Sequence, residues 1–456
     1  MMNTNISDEL KIYELSLIWK EAAQNFAFWE RMSAELDWDK AYREALPRVL
    51  ATDNLYDYYM ELSRFLALLK DGHTRLFDFP ESLYDSFTSL PVDIGYRSGH
   101  HVILDVDKSL ENEIKQYSVV RKFNGVDIFE YIEKNLFPYH WHEKYDTACD
   151  YLDFMLRRGI TEDEVTLELE YDGEVKTVSV KRWNLSIEKN WVYGDAAPKP
   201  SEAFDEVYSS DSHSIKMTND NIAVITIEGF DNDSLREEFY ANFPILQKAR
   251  GYIIDIRRNG GGGSMNADAV SAAFIKGLFY SGRSLLPIYI GNYKTIAPYL
   301  DFGDDTYEKV AEKYGTYDWR TTAYKVWKNM HYHDTLDERY SDFYEPPSTL
   351  TAPLVLLVSE LTGSAAEDMV VAMAHSKRAV IVGKPTAGSN GQPRGIKLES
   401  GGRAWICTQY CKLLDGGEYI NIGVTPDVYF DPSLDDWRGG IDSGMNKGLE
   451  EIRKLV

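Results

Sequence analysis

Four short apolar runs constrain this chain more than any other feature: NIAVITIEGF (221–230), GYIIDIRRNGGGG (251–263), PLVLLVSE (353–360) and RAVIVGKPT (378–386). Each has the length and apolar content of a buried strand, and each ends in a polar or glycine-rich turn. Helical patterns lie between several of them, so the second half of the chain reads as an α/β core. A stretch from about 289 to 348, rich in Tyr, Trp and His, interrupts the alternation and reads as a lid or insertion.

The first half has a different pattern. From Asp8 to about Lys70 apolar residues recur at helical spacing, as in Leu10, Ile12, Leu15, Ile18, Trp19, Ala22, Phe26 and Trp29, then Tyr58, Leu62, Phe65 and Leu68. This predicts a small helical bundle that ends at DGHTRL, where Gly72 breaks the helix. From about Pro91 to Trp183 come HVILDV, then a strand, a turn at Asn124–Gly125 and a helix, then a hairpin around Asp172 and Gly173. That order resembles a PDZ-like α+β module, a type that captures chain termini by strand addition; a generic α+β insert fits the same pattern. The expected boundaries are a helical domain at 1–76, the PDZ-like module at 77–190, a polar linker at 191–215 and the α/β domain at 216–456.

The 73 acidic residues outnumber the 49 basic ones, for a formal charge of −24, which argues against nucleic acid or an anionic membrane as partner. Cys149, Cys407 and Cys411 are too few for a disulfide framework and lack the paired spacing of a zinc site. No stretch approaches the ~20 continuous apolar residues of a membrane span. The N-terminus lacks a basic region followed by an apolar core, so the chain reads as soluble, and as periplasmic or exported only if a leader has been removed. No heptad or interface stripe indicates an oligomeric state.

In an α/β sheet a ligand sits beyond the carboxyl ends of the strands. Two ends stand out. After GYIIDIRR comes Asn259 and the run Gly260–Gly263, where bare backbone N–H groups can approach a ligand. After PLVLLVSE comes LTGSAAEDMVVAMA, where Gly363 and Ser364 turn the chain into a helix. A serine there can present Oγ at the positive end of the helix dipole. The competing reading makes Ser364 a plain N-cap, with Glu367 completing a capping box.

A nucleophilic Ser364 needs a base. Of nine histidines, His331 and His333 form an HxH pair with no third metal ligand nearby, and six others lie in strand, linker or helix contexts. His73, between Gly72 and Thr74, stands at an exposed helix end.

The set DGHTRL, YIIDIRRNGGG, TGSAAEDMVVAMA, RAVIVGKPTAGSNGQP and IGVTPDV, in that order, closely resembles the S41 serine peptidases, the tail-specific C-terminal processing proteases and their tricorn-core relatives. The start FWERMSAELDWDKAY is similar to the N-terminal bundle of the tricorn-like branch. The resemblance implies a ClpP/crotonase-like α/β catalytic core, Ser364 as nucleophile in a frame S-A-x-E, and a polypeptide substrate with no metal or organic cofactor. The processing branch takes its base from a lysine in P-T-x-G-K; here Ser389 occupies that position, and Lys384 precedes the motif. The tricorn-like branch takes it from the histidine matched by His73. There a serine precedes the histidine, where this chain has Gly72. A glutamate precedes the late GV-PD motif, where this chain has Ile420 with Glu418 two residues away. Glu418, or Asp415, is then the group expected to orient His73. The implied oxyanion hole uses the N–H groups of Ala365 and of Gly260 or Gly261.

The function expected is peptide-bond hydrolysis by acyl transfer to Ser364 with His73 as general base. One alternative shares the fold, a peptide-binding member that has lost the chemistry, suggested by Gly72 and the displaced glutamate; a second is an esterase-type acyl hydrolase, and the lack of a G-x-S-x-G elbow stands against the usual esterase fold. A carbohydrate-binding or scaffolding protein using the Tyr- and Trp-rich insertion is a third.

Overall fold

A computed structural model describes residues 6–32, 36–140, 142, 144–161, 163–194, 198–287, 293, 297–300, 302–328 and 332–456. The helical pattern at the start resolves into α1 (Asp8–Asn25), α2 (Trp38–Leu50) and α3 (Leu55–Ala67). Each begins at a side-chain cap, Ser7, Asp37 or Asn54, that accepts a first-turn N–H. Their apolar faces, with Leu15, Ile18, Val49, Leu62 and Phe65 buried, join the core of the C-terminal half. After a turn over 68–74 that contains His73, strand β1 (Arg75–Asp78) carries the chain away from these helices.

The middle region is built on β2 (Val92–Arg97), β3 (His100–Val106) and β4 (Val119–Phe123), then α4 (Ile128–Asn135), α5 (Tyr145–Arg157), β5 (Glu164–Tyr171) and β6 (Glu174–Lys181). The strands form an antiparallel sheet in the order β2-β3-β4-β5-β6. Asn124 (φ 51°) and Gly125 (φ 77°), and Asp172 (φ 51°) and Gly173 (φ 78°), take the left-handed backbone of tight hairpin turns. This region has its own core, including Ile94, Phe123, Leu152 and Leu167.

The stretch read as a linker contains a strand, β7 (Asp205–Ser209), which pairs antiparallel with β8 (Ser214–Met217). Its polar composition hid it: β7 lies at a sheet edge and most of its residues are exposed. Then come β9 (Ile222–Thr226), β10 (Gly251–Asp255), α6 (Ser264–Phe274), β11 (Leu278–Pro287), β12 (Tyr332–Tyr340), β13 (Leu354–Val358), α7 (Ala365–His375) and β14 (Val380–Gly383). The chain closes with β15 (Pro393–Lys397), β16 (Arg403–Cys407), β17 (Tyr410–Lys412), β18 (Val428–Tyr429) and α8 (Ser443–Arg453).

The main sheet has seven strands in the order β7-β8-β9-β10-β13-β14-β18, parallel from β9 onward. Alternation divides its strands between two faces. Ile225, Ile254 and Leu356 pack in one cluster with Val270, Val370 and Met373 of α6 and α7; Val224, Ile253 and Leu357 pack with Met445, Leu449 and Ile452 of α8. The four apolar runs are thus strands covered on both sides.

Two smaller sheets frame this core. β1 pairs with β16, which pairs with β15, so the chain after the helical bundle is stitched to the C-terminal half. β11 pairs with β12 and β17. The described part of the segment between β11 and β12 has helices at Tyr307–Tyr314 and Trp319–Trp327, packed around Phe302, Val310, Ala323 and Tyr324.

Candidate active site

β10 and β13 are neighbours, so the turns that follow them lie side by side at the carboxyl edge of the sheet. Thr362 Oγ donates to the Ile256 carbonyl at 2.9 Å, and the Gly363 N–H donates to the Asn259 carbonyl at 3.1 Å. These bonds fix the glycine run against the turn that carries Ser364. Gly261, at φ +109°, permits the approach: a Cβ there would lie 2.5 Å from Ser364 Cβ.

Ser364 itself has φ 52° and ψ −127°, a conformation that costs of order 1–3 kcal/mol in a non-glycine residue. Its side chain makes no capping hydrogen bond. The capping-box reading therefore fails at both ends. Glu367, wholly buried, turns its carboxylate away from the N-cap and accepts from Thr386 Oγ at 2.5 Å, the Gly388 N–H at 2.7 Å and the Ser389 N–H at 3.0 Å.

His73 arrives from the other end of the chain. Thr74 Oγ donates to the Asp71 carboxylate at 2.6 Å and accepts from the Cys407 N–H at 2.9 Å, and the β1–β16 pairing continues that attachment. The imidazole lies between two serines: Nε2 is 3.4 Å from Ser364 Oγ, and Nδ1 is 2.9 Å from Ser389 Oγ. The first distance is long for a hydrogen bond but ordinary for a site without substrate. An Nδ1–H that donates to Ser389 leaves the Nε2 lone pair facing Ser364, the tautomer a base requires. The Ser364 N–H donates to the Ser389 carbonyl at 2.7 Å, so the two serines are tied by backbone as well.

The residue against Nδ1 is thus Ser389, and neither residue expected from the sequence takes that place. Glu418, itself half-exposed, bonds the hydroxyl of the buried Tyr410 and pairs with Lys412 at 2.6 Å. Asp415 accepts the Gly417 N–H at 2.8 Å. Gly72 explains the absence of a serine before the histidine, because a Cβ at that position would fall 2.7 Å from Ser389 Oγ. The signal was in the sequence as a pair, a glycine where the family has serine and a serine where its other branch has lysine. Only the fold brings those positions together.

Of the three N–H groups expected in an oxyanion hole, Gly261's is occupied, donating to Asn259 Oδ1 at 2.9 Å; Gly261 matters for close packing rather than as a donor. Gly260 is exposed and its N–H meets no acceptor among the described residues. Ala365 is the first residue of α7, where N–H groups lack helical partners and the dipole favours negative charge.

Electrostatics suit a neutral base. The His73 ring is partly accessible, yet desolvation by the surrounding protein, with the Arg75 charge second, pushes its pKa down to about 4. Burial pushes Glu367 up to about 7 against the three donors on its carboxylate. Lys384 pairs with Asp146 at 2.5 Å, Glu360 at 3.4 Å and Asp431 at 3.7 Å, and these carboxylates hold its pKa up despite desolvation, unlike a lysine base.

His101 is locked between Asp153 at 2.7 Å and Tyr145 at 2.9 Å, and His140 lies against the Tyr151 ring. His331 and the side chain of His333 lie outside the described residues. Among the described residues no group of three or more His, Cys, Asp or Glu is arranged to hold a metal ion, and no helix is long and apolar enough to cross a membrane. A cleft of about 1190 Å³ lies between the middle region and the sheet's carboxyl edge, lined by Arg97, Trp191, Arg257 and Glu360 among others. It reaches Leu361, three residues before Ser364, without including Ser364 or His73.

The fold is shared with known proteins. Residues 221–430 match the model of Peptidase family S41. The crystal structure of mature CPAF superposes with a TM-score of 0.73 at 16% identity, covering 98% of this chain and 97% of that one. CPAF complexed with lactacystin gives 0.72 at 16% identity, covering 98% of each chain. A putative peptidase from Parabacteroides merdae ATCC 43184 gives 0.50 at 15% identity, covering 98% and 97%. No curated protein matches the chain by sequence. Residues 221–430 thus carry a domain of peptidase family S41, the serine-type peptidases, within a fold shared nearly end to end with mature CPAF.

Proposed function

We propose that the protein is an endopeptidase or tail-specific peptidase that cleaves peptide bonds by acyl transfer to Ser364. The observation that carries this reading is the imidazole of His73 held between Ser364 Oγ and Ser389 Oγ. His73 Nε2 takes the Ser364 proton as Oγ attacks the substrate carbonyl. The oxyanion is met by the Ala365 N–H and the Gly260 N–H, a kind of contact worth about 3 kcal/mol in the transition state. His73 then gives its proton to the leaving amine, and water repeats the sequence on the acyl-enzyme.

The same geometry favours the histidine-based, tricorn-like branch over a Ser–Lys dyad, since Ser389 stands where the dyad lysine would be and Lys384 is committed to carboxylates. The middle region serves in this reading as a PDZ-like module, supported by its antiparallel sheet and the packing of α5 beside β2.

A peptide library analysed by mass spectrometry, alongside a p-nitrophenyl ester, tests the proposal. Peptide cleavage that disappears in Ser364→Ala is expected. Ester turnover without peptide cleavage would make the protein an acyl hydrolase of another kind, and neither activity would favour a binding role.

A further inference from the structure

The loop 384–389 brings Ser389 to His73, and it is gripped from two sides. On the core side Glu367 holds it through three donors, the Ala387 N–H donates to the Thr362 carbonyl at 2.8 Å, the Thr386 N–H donates to the Val424 carbonyl at 3.2 Å, and Thr386 Oγ accepts from the Val424 N–H at 2.7 Å. The other side belongs to the middle region. Lys144, the residue before α5, donates from Nζ to the Pro385 carbonyl at 2.8 Å and to the Thr386 carbonyl. Two residues on, Asp146 pairs with Lys384 at 2.5 Å.

The same stretch also touches the histidine turn. His142 Cδ2 would lie 3.2 Å from a Cβ on Gly72, and His142 Nδ1 accepts the Lys144 N–H at 3.1 Å. A few residues of the middle region therefore reach both the turn that carries His73 and the loop that bonds it. Nothing in the acyl-transfer chemistry requires those contacts.

We propose that Lys144 is a positioning residue for catalysis: its ammonium holds the 385–386 carbonyls so that Ser389 Oγ stays on His73 Nδ1. Among the described residues no other donor reaches either carbonyl, and Thr386 is buried. Without Lys144 these carbonyls lose their partner, and the loop relaxes toward another donor or water. Thr386 is three residues from Ser389, so such a shift displaces Oγ. The Lys144 ammonium is itself partly desolvated, with a lowered pKa, which fits a charge committed to backbone acceptors rather than to solvent. The inference rests on the reading of His73 as general base.

The test uses the full chain as Lys144→Met, Lys144→Arg, Ser389→Ala and the Lys144→Met/Ser389→Ala double variant. Two readouts are taken: kcat and KM on a cleaved peptide, and the imidazole ¹⁵N resonances of His73, assigned by their loss in His73→Ala. Lys144→Met is expected to lower kcat about tenfold or more with KM within about twofold, and Lys144→Arg to recover most of it. The double variant is expected to be no slower than Ser389→Ala, because both changes break one unit. The His73 Nδ1 resonance should move in Lys144→Met toward its position in Ser389→Ala.

A His73 resonance unchanged in a folded Lys144→Met protein overturns the proposal, as do kcat losses that multiply in the double variant. If the wild type cleaves no peptide while Lys144→Met still shifts the resonance, positioning stands and the peptidase reading falls. If Lys144→Met does not fold, Lys144→Arg decides. A folded Lys144→Arg with wild-type resonance and kcat supports the proposal; one with the Ser389→Ala resonance refutes a simple cationic tie.

Discussion

Replacing Ser389 by alanine removes one hydrogen bond and little else. The Ser389 N–H that donates to Glu367 and the carbonyl that accepts from Ser364 are backbone groups and survive the change. What is lost is the oxygen 2.9 Å from His73 Nδ1. Leaving a desolvated donor without its acceptor costs about 1–3 kcal/mol. At about 1.36 kcal/mol per decade, that is a fall in kcat of about 5-fold to about 150-fold if the whole cost appears in the transition state. The assay is single-turnover acylation by a peptide or a fluorophosphonate, which isolates the step in which His73 takes the proton. Gly72 supplies an internal control. A side chain there would collide with Ser389 Oγ, with Cβ at 2.7 Å, so Gly72→Ser alone should slow acylation. In Gly72→Ser/Ser389→Ala the new hydroxyl has the vacated space, and acylation should recover above that of Ser389→Ala. Acylation by Ser389→Ala within about twofold of wild type would refute the claim that Ser389 orients the base.

Other outcomes follow from the same geometry. The acid limb of kcat/KM should fall near pH 4 rather than near 6.5, because His73 must be neutral to accept a proton and its pKa is pushed down to about 4; a pH–rate profile checks this. Burial also lowers His140 to about 3, so its contribution to stability is lost as pH falls from about 6.5 toward 3. Urea unfolding at pH 7 and pH 5 should accordingly show the gap between wild type and His140→Gln shrinking at the lower pH. Gly261→Ala, which places a Cβ 2.5 Å from Ser364 Cβ at a φ of +109°, should destroy acylation and lower the melting temperature. Glu418→Ala should leave kcat within about twofold of wild type, since its carboxylate serves Lys412 and Tyr410.

Much of this architecture is visible in local pattern. The parallel strands announce themselves as apolar runs because both faces are covered, and the tight turns at Asn124–Gly125 and Asp172–Gly173 because a left-handed backbone selects those residues. Strand β7 is hidden, since an exposed edge strand has no apolar face to betray it. At the site, Ser364 and His73 are legible from motifs. Ser389 shows in sequence only as a missing lysine, because its partner lies 316 residues away. Glu367 matches the spacing of a capping box so well that its actual role, bracing the 386–389 loop, appears only when the direction of its carboxylate is known.

The central claim is that Ser364 is a nucleophile activated by His73. Treating the folded protein with a fluorophosphonate and mapping the adduct by mass spectrometry tests it most directly. The geometry predicts one adduct, on Ser364, absent from Ser364→Ala and strongly slowed in His73→Ala. A folded wild-type protein that takes no label at Ser364, or labels equally fast without His73, would contradict it.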